Sequence, residues 1–393
     1  MTDRPVDQRA PTPRNDAALL AELTTLRHAL HRQPELSGDE VATAAKIAGW
    51  LADTAPDHLL TGLGGHGLAA VYEGGLPGPT VMLRCELDGL PIEELSALPH
   101  RSAVPGRGHL CGHDGHMAIL AGVARLLGVE RPTRGRAVLL FQPAEENGAG
   151  AARVIADPAF AAIAPDLAFA IHNYPGTPVG HALIAHGPAN CASRGMRLRL
   201  TGRTAHASQP ETGLSPAPAL AALIPALTAL SRGTDAADSN FRLVTITHAV
   251  LGEPAFGIAP GAAEIWATLR SQSDSGMAGL LDQALGLVAE YAAGLDPQID
   301  WHDDFAACVN DADATAILQA ALDAEGITHA GTGLPMRASE DFGRFGSNGA
   351  KSAMVLLGAG DGPALHNPDY DFPDALIDPG LRLMRRVLRD LLG

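Results

Sequence analysis

Six consecutive residues, Cys111-Gly-His113-Asp114-Gly-His116, carry the densest chemistry in this 393-residue chain. They offer one thiol, two imidazoles and a carboxylate, with glycines that let the backbone bend around a bound group. Thiolate and imidazole are ligands of borderline-soft divalent metals. The run 117–127 that follows has Leu120, Val123, Leu126 and Leu127 on one helical stripe. The thiol would then stand at a helix N-terminus, where its proton leaves more readily. Taken singly, each residue has a plainer role: Cys111 in a core, His113 or His116 on a surface, Asp114 capping the helix.

Four other segments favour the metal reading. The apolar run VMLRCEL leads to Asp88, AVLLF to Glu145 and Glu146, LAFAI to His172, and AMVLLG to His366. Such runs suit strands covered on both faces, and open α/β sheets bind ligands beyond the carboxyl ends of their strands. One crevice would then gather a thiol, three imidazoles and several carboxylates. Adjacent buried acids such as Glu145 and Glu146 need a cation. The supply exceeds four ligands, which points to two divalent ions.

The elements that must position these groups follow an α/β rhythm. Helical periodicity covers 17–33 and 38–54, with Ser37 as candidate N-cap, and buried strands are expected at 67–72, 80–87, 137–141 and 167–171. From residue 193 the pattern changes. Met196, Leu198 and Leu200 alternate with polar residues, followed by a helix at 217–231, strands near 241–250 and 263–270, a helix at 277–294 and a strand near 298–303. This β-α-β-β-α-β order is that of a ferredoxin-like unit. The α/β pattern resumes with a helix at 312–325, a strand at 353–357 and a helix at 376–391. The expected division is a disordered leader over 1–16, a mostly parallel α/β catalytic domain over 17–192 and 304–393, and an inserted domain over 193–303.

Composition narrows the partners. Hydrophobic residues make up 46%, charged residues 18%, and mean hydropathy is +0.06, an ordinary globular profile. A net charge of −16 disfavours nucleic acid and gives no attraction to an anionic membrane. No apolar run approaches the ~20 residues that span a bilayer. The N-terminal stretch is charged and proline-rich without an apolar centre, unlike a signal peptide. Cys85, Cys111, Cys191 and Cys308 lie far apart, so a disulfide framework is not expected and a reducing cytoplasm is.

The chain resembles the M20 metallopeptidase/amidohydrolase family, in its branch of N-acyl-amino-acid, hippurate and auxin-conjugate hydrolases. The resemblance rests on His31-Arg-Gln-Pro-Glu35, Leu83-Arg-Cys-Glu-Leu-Asp88-Gly-Leu-Pro, His109-Leu-Cys-Gly-His-Asp-Gly-His116 and Phe141-Gln-Pro-Ala-Glu-Glu146. It continues through Ile171-His-Asn-Tyr-Pro175, Thr201-Gly-Arg-Thr-Ala-His206-Ala-Ser-Gln-Pro, Ser339-Glu-Asp-Phe342 and Leu365-His-Asn-Pro368, in family order. It implies that Cys111 bridges two metals and that His113, Glu146, His172 and His366 complete the ligand set. Glu145 would be the general base and Asp88 the carboxylate that orients the site from behind the ligands. His206, on the inserted domain, would polarise the scissile carbonyl, in some relatives from the partner subunit. That domain would also carry a homodimer contact and close over substrate. Arg270 matches the family's arginine for the substrate carboxylate. Thiolate and imidazole suit zinc, while a site that includes carboxylate also takes manganese or cobalt.

The implied reaction is hydrolysis of an N-acyl or aryl-acyl amino acid to a carboxylic acid and a free amino acid. Two departures stand out: Glu86 where many relatives carry Asp, and Gly257 in Phe256-Gly257-Ile-Ala-Pro260, where relatives commonly place a substrate-contacting Asn. Two alternatives stay open. One is a related enzyme acting on dipeptides or on carbamoyl or amidine bonds. The other is a metal-stabilised binding protein without catalysis, against which the presence of both Glu145 and His206 argues.

Overall fold

Alternation inside the apolar runs decides the architecture. In a computed structural model that describes residues 16–393, Val81, Leu83 and Cys85 face one side of a sheet while Met82 faces the other. Leu139 and Phe141 likewise oppose Val138 and Leu140. Both faces are covered, so no polar residue is needed on either and the runs read as continuously apolar. The helices Asp16–His31, Val41–Ala52, His113–Leu127, Ala312–Ala324 and Ile377–Leu392 contribute to the core on the first face. Val154, Phe160, Phe342 and Phe345 fill the second. The expected leader falls on residues outside those described, apart from Asp16, which opens the first helix.

The sheet has eight strands in the order His58–Leu63, Gly67–Glu73, Arg134–Gln142, Leu76–Glu86, Leu167–Tyr174, Lys351–Gly358, His181–Leu183 and Thr328–Ala330. Its four central strands, Arg134–Gln142 through Lys351–Gly358, are mutually parallel. The flanks add antiparallel pairings, and Thr328–Ala330 runs parallel to His181–Leu183 at the far edge. The short edge strands had no readable signal: His58–Leu63 is mostly exposed and alternates no apolar face.

A second sheet is antiparallel throughout, in the order Arg242–Leu251, Ala262–Ser271, Ala192–Thr201, Asp296–Phe305. The helices Ala217–Thr228 and Asp274–Tyr291 lie on one face, packed on Met196, Leu198, Leu200, Ile265, Ala267 and Leu269. The chain order is therefore β-α-β-β-α-β, as the periodicity indicates. The opposite face carries Ser193, Gly195, Thr268 and Arg270 toward the first sheet's ligand edge.

Two capping expectations are corrected. Ser37 does not cap Val41–Ala52; its hydroxyl donates to Asp88 (2.7 Å), and Glu35 accepts from the Ala42 and Thr43 amides instead. A chain bend at Gly38 (φ 89°) moves Ser37 away from the helix start. Asp114 lies in the first turn of His113–Leu127, but its carboxylate is taken by Arg27 and His31.

Candidate metal centre and active site

Because the four central strands are parallel, their carboxyl ends share one edge, and the residues beyond them converge there. Asp88 follows Leu76–Glu86, Glu145 and Glu146 follow Arg134–Gln142, His172 lies near the end of Leu167–Tyr174, and His366 follows Lys351–Gly358. The loop to His113–Leu127 turns through Gly112 at φ 93°, where a Cβ would overlap the Asn173 side chain. Ala144 (φ 52°) and His366 (φ 65°) also adopt left-handed conformations, strained for residues other than glycine. Such outliers beside a ligand cluster hold side chains at an angle that relaxed backbone would not give.

The five expected ligands come together. Cys111 Sγ lies 3.5 Å from His172 Nε2, His113 Nε2 3.8 Å from Glu146 Oε1, and His366 Nε2 3.5 Å from Glu146 Oε2. Two sets of three donors overlap at the thiol: Cys111 with His113 and His172, and Cys111 with Glu146 and His366. Donor spacings of roughly 3.4–3.6 Å are what tetrahedral coordination at usual Zn–N, Zn–O and Zn–S lengths requires. Glu145 Oε2 is 3.9 Å from His113 Nε2, close to the cluster.

Unpaired atoms test whether a cation fits. His113 Nε2, Glu146 Oε1 and Asp88 Oδ1 are buried with no hydrogen-bond partner. Each such atom costs about 1–3 kcal/mol if left so. Asp88 Oδ2 is held by the Ser37 hydroxyl and the Glu146 amide (3.0 Å), and its Oδ1 lies 3.5 Å from His113 Nδ1. His113 Nδ1–H donates to the Asp88 carbonyl (2.8 Å), leaving the Nε2 lone pair aimed inward. His172 Nδ1–H donates to the Asn173 carbonyl (2.8 Å), with the same result. The residues present fit divalent cations.

The electrostatics agree. Burial raises Glu146 to about 7 and, with Glu340, Glu146 and Asp341, lifts Glu145 well above the usual carboxylate range. Burial opposes charge on His113, yet the Asp88 hydrogen bond and the Glu86 and Glu146 charges push it up to about 10, so without a cation Nε2 carries a proton, and a bound cation would take that proton's place. This is an acid-rich site in need of positive charge. Burial takes His172 down to about 3 and His366 to about 4, so both imidazoles are neutral at pH 7, as ligation would require. One expectation is overturned here. The helix N-terminus does not ease proton loss from Cys111, because burial, Glu146 and Glu145 hold the thiol well above its ordinary value. Only a cation would draw that proton off.

Behind the ligands lies a network that motif spacing did not assign. His116 is engaged at both ring nitrogens within the core, Nδ1 with Glu86 (2.6 Å) and Nε2 with the Asn173 Oδ1 (2.5 Å) and the Asn173 backbone amide (3.3 Å), so neither nitrogen is left for a metal. The same Asn173 donates to the Tyr370 hydroxyl (2.5 Å). Glu86 also pairs with Arg84, whose guanidinium reaches Asp341 (2.6 Å) and Glu340 (3.0 Å). The longer Glu86 thus serves as a bridge between Arg84 and His116. Glu340 and Asp341 join Glu145 as a third acidic group, and a second adjacent acid pair after a glycine- and proline-containing loop was the signal available for them.

A cavity of about 380 Å³ opens between the two sheets, lined on one side by Cys111, Glu145, Glu146, His172 and His366 and on the other by Ser193, Thr268 and Arg270. Arg270 donates to the Arg337 carbonyl and the Ser339 hydroxyl (both 2.9 Å), and no carboxylate among the described residues pairs with it. His206 does not line this cavity. It sits exposed on the short strand Ala205–His206, opposite Ile258, with Nδ1 accepting from the Ser208 amide (3.1 Å). Gly257 lies beside it, its carbonyl accepting from the Ala207 amide (3.0 Å). A Cβ on Gly257 would meet nothing within 4 Å, so sterics do not demand glycine there.

A family model described as peptidase family M20/M25/M40 matches residues 82–390. Among curated proteins, the chain is 31% identical over 374 residues to an N-acetyl-L-cysteine deacetylase of Bacillus subtilis (strain 168), covering 93% of this chain and 87% of that one. It is 30% identical to a hippurate hydrolase of Campylobacter jejuni over 364 residues, 91% and 94% of the two chains. Among solved structures, a dinuclear metal binding peptidase of the M20 family from Bacillus subtilis superposes with a TM-score of 0.79 at 25% identity, covering 96% and 99%.

Proposed function

The chain belongs to peptidase family M20/M25/M40, as an amidohydrolase, and from that premise we propose that it cleaves the amide bond of N-acyl amino acids with the help of two divalent metal ions. The observation that carries this reading is one cavity edged by three kinds of group: a five-donor cluster in which His113 and Glu146 have orphaned atoms, a carboxylate outside that set, and an arginine with no carboxylate partner among the described residues. Cys111, His113, Glu146, His172 and His366 would hold the ions, with the thiol common to both, and Asp88 would orient His113. Bound divalent cations supply the positive charge that acidifies water and polarises an amide carbonyl. Zinc, manganese and cobalt all suit this donor set.

Glu145 takes the proton from water and returns it to the leaving amine. A carboxylate beside cations would ordinarily hold a proton poorly, and the negative neighbours Glu340 and Asp341 counter that tendency. Arg270 receives the free carboxylate of the amino acid. His206 accepts at Nδ1, so its proton sits on Nε2, ready to donate to the oxyanion. Its absence from its own chain's cavity lining favours action on a partner's site, with the segment 193–303 as an inserted domain that carries the homodimer contact and closes over the substrate. Residues 17–192 and 304–393 would form the catalytic domain. The four cysteines are free thiols, which suits a reducing cytoplasm, and no helix among the described residues is long and apolar enough to cross a membrane.

The test is a panel of N-acetyl and N-benzoyl amino acids, dipeptides and carbamoyl amino acids, assayed alongside elemental analysis. Turnover of the N-acyl compounds, lost on chelation and regained with divalent ions, is expected. Cleavage confined to dipeptides or carbamoyl compounds would replace this reading with the alternative substrate class.

A further inference from the structure

The strand Asp296–Phe305 breaks register where it borders the cavity. His302 opposes Gly195, yet Phe305 opposes Ser193, so one extra residue is held in a bulge at 303–304. Past His302, an unbroken ladder would set Asp304 opposite Ser193. The bulge sets Phe305 there instead, and Asp303 lines the cavity with it. Bulges re-aim side chains in this way beside binding sites. Asp303 holds a left-handed φ of 47°, a conformation that aspartate tolerates better than most residues but still at some cost.

The two neighbouring acids are treated differently. Asp304 is paired with Arg194 (2.6 Å) and Arg344 (3.7 Å). Among the described residues, Asp303 has no hydrogen bond and no ion pair; partial burial raises its pKa, against a weaker pull downward from the neighbouring His302. Arg270 is the complementary case, on the other side of the central strand Ala192–Thr201. Their strands are two spacings apart, roughly 9–10 Å. An unpaired anion and an unpaired cation thus face one cavity without meeting each other. Met336, Met354, Leu356 and Leu365 line the same cavity, an apolar lining suited to methylenes.

We propose that Asp303 is a specificity-determining residue that receives a side-chain ammonium. The substrate class would be Nα-acyl diamino acids of ornithine or lysine length, with the α-carboxylate on Arg270. This rests on the N-acyl amino acid reading and narrows it.

The test compares kcat/KM for Nα-acetyl-lysine and N-acetyl-norleucine, which differ by the ammonium, in the wild type and in Asp303→Asn. Asparagine keeps the left-handed tolerance, so the bulge should survive. The wild type should prefer the lysine compound on the order of tenfold, equivalent to about 1.4 kcal/mol, and Asp303→Asn should erase that preference while sparing norleucine turnover. In Asp303→Lys, preference should shift toward N-acetyl-glutamate. A wild type indifferent to the ammonium, or a variant that slows both compounds equally, overturns the inference and leaves N-acyl hydrolysis standing. Failure of every N-acyl amino acid in the wild type overturns the underlying reading instead.

Discussion

Glu145 is asked to hold a proton loosely enough to release it and tightly enough to take it, and its surroundings bear on both demands. Cations at the five donors would lower its proton affinity, while Glu340, Glu146 and Asp341 raise it. Replacing Glu145 with Gln should lower kcat by about 10²–10⁴-fold while metal content stays unchanged, since the donors are untouched. Initial rates and elemental analysis on the same preparation check this, and near-normal turnover would remove Glu145 as the base. Arg270 makes a different prediction. Among the described residues it hydrogen-bonds to a carbonyl and a hydroxyl and pairs with no carboxylate, so its charge is left for substrate. Arg270→Gln should raise KM for N-acyl amino acids and leave KM for their carboxamides nearly unchanged. Equal effects on both would show that Arg270 acts through the loop at 337–339 and not on a carboxylate.

At the scale of elements, the helix His113–Leu127 and the loop before it hold the site, and their anchor is the first helix. Asp114 accepts from Arg27 and from His31 Nδ1 (2.9 Å), while His31 Nε2 reaches Glu94 (3.2 Å). Burial works against a charged His31, but the Asp114 charge and the two hydrogen bonds raise it to about 10. A raised histidine contributes stability that is complete below its ordinary value of 6.5 and is lost as pH rises through about 10. Urea unfolding across that window should therefore show the wild type losing more stability than His31→Gln. Parallel losses would mean that the ring is neutral in the folded chain. The turn itself is equally specific: Gly112→Ala meets both a left-handed φ and the Asn173 side chain. It should destabilise by on the order of 1–3 kcal/mol and reduce metal content, as read by melting and elemental analysis.

Across the whole molecule, Glu145 lies in the turn after Arg134–Gln142 and His206 on a separate two-stranded sheet, outside the cavity that Glu145 lines. Mixing inactive Glu145→Gln and His206→Ala proteins, with subunit exchange, should restore part of the activity if His206 serves a partner's site. No recovery would assign it to its own chain after closure. The chemistry of the ligand loop, the two-sided burial of the central strands and the β-α-β-β-α-β order were all legible in the chain. Each depends on residue type and short-range period, as with Cys111-Gly-His113 or the Met196, Leu198, Leu200 alternation. The roles of Ser37, Asp114 and His116 were not legible, because a hydroxyl, a carboxylate or an imidazole looks the same whether it caps a helix, binds a metal or joins a core network. Nor could spacing reveal the bulge at Asp303 or the isolation of Arg270 from any acid. Residue type and local period already fix which donors exist and which strands carry them to a common edge. Only tertiary structure decided which donors are left unpaired, because pairing depends on neighbours hundreds of residues away, as Arg84 with Asp341 and Arg27 with Asp371 illustrate.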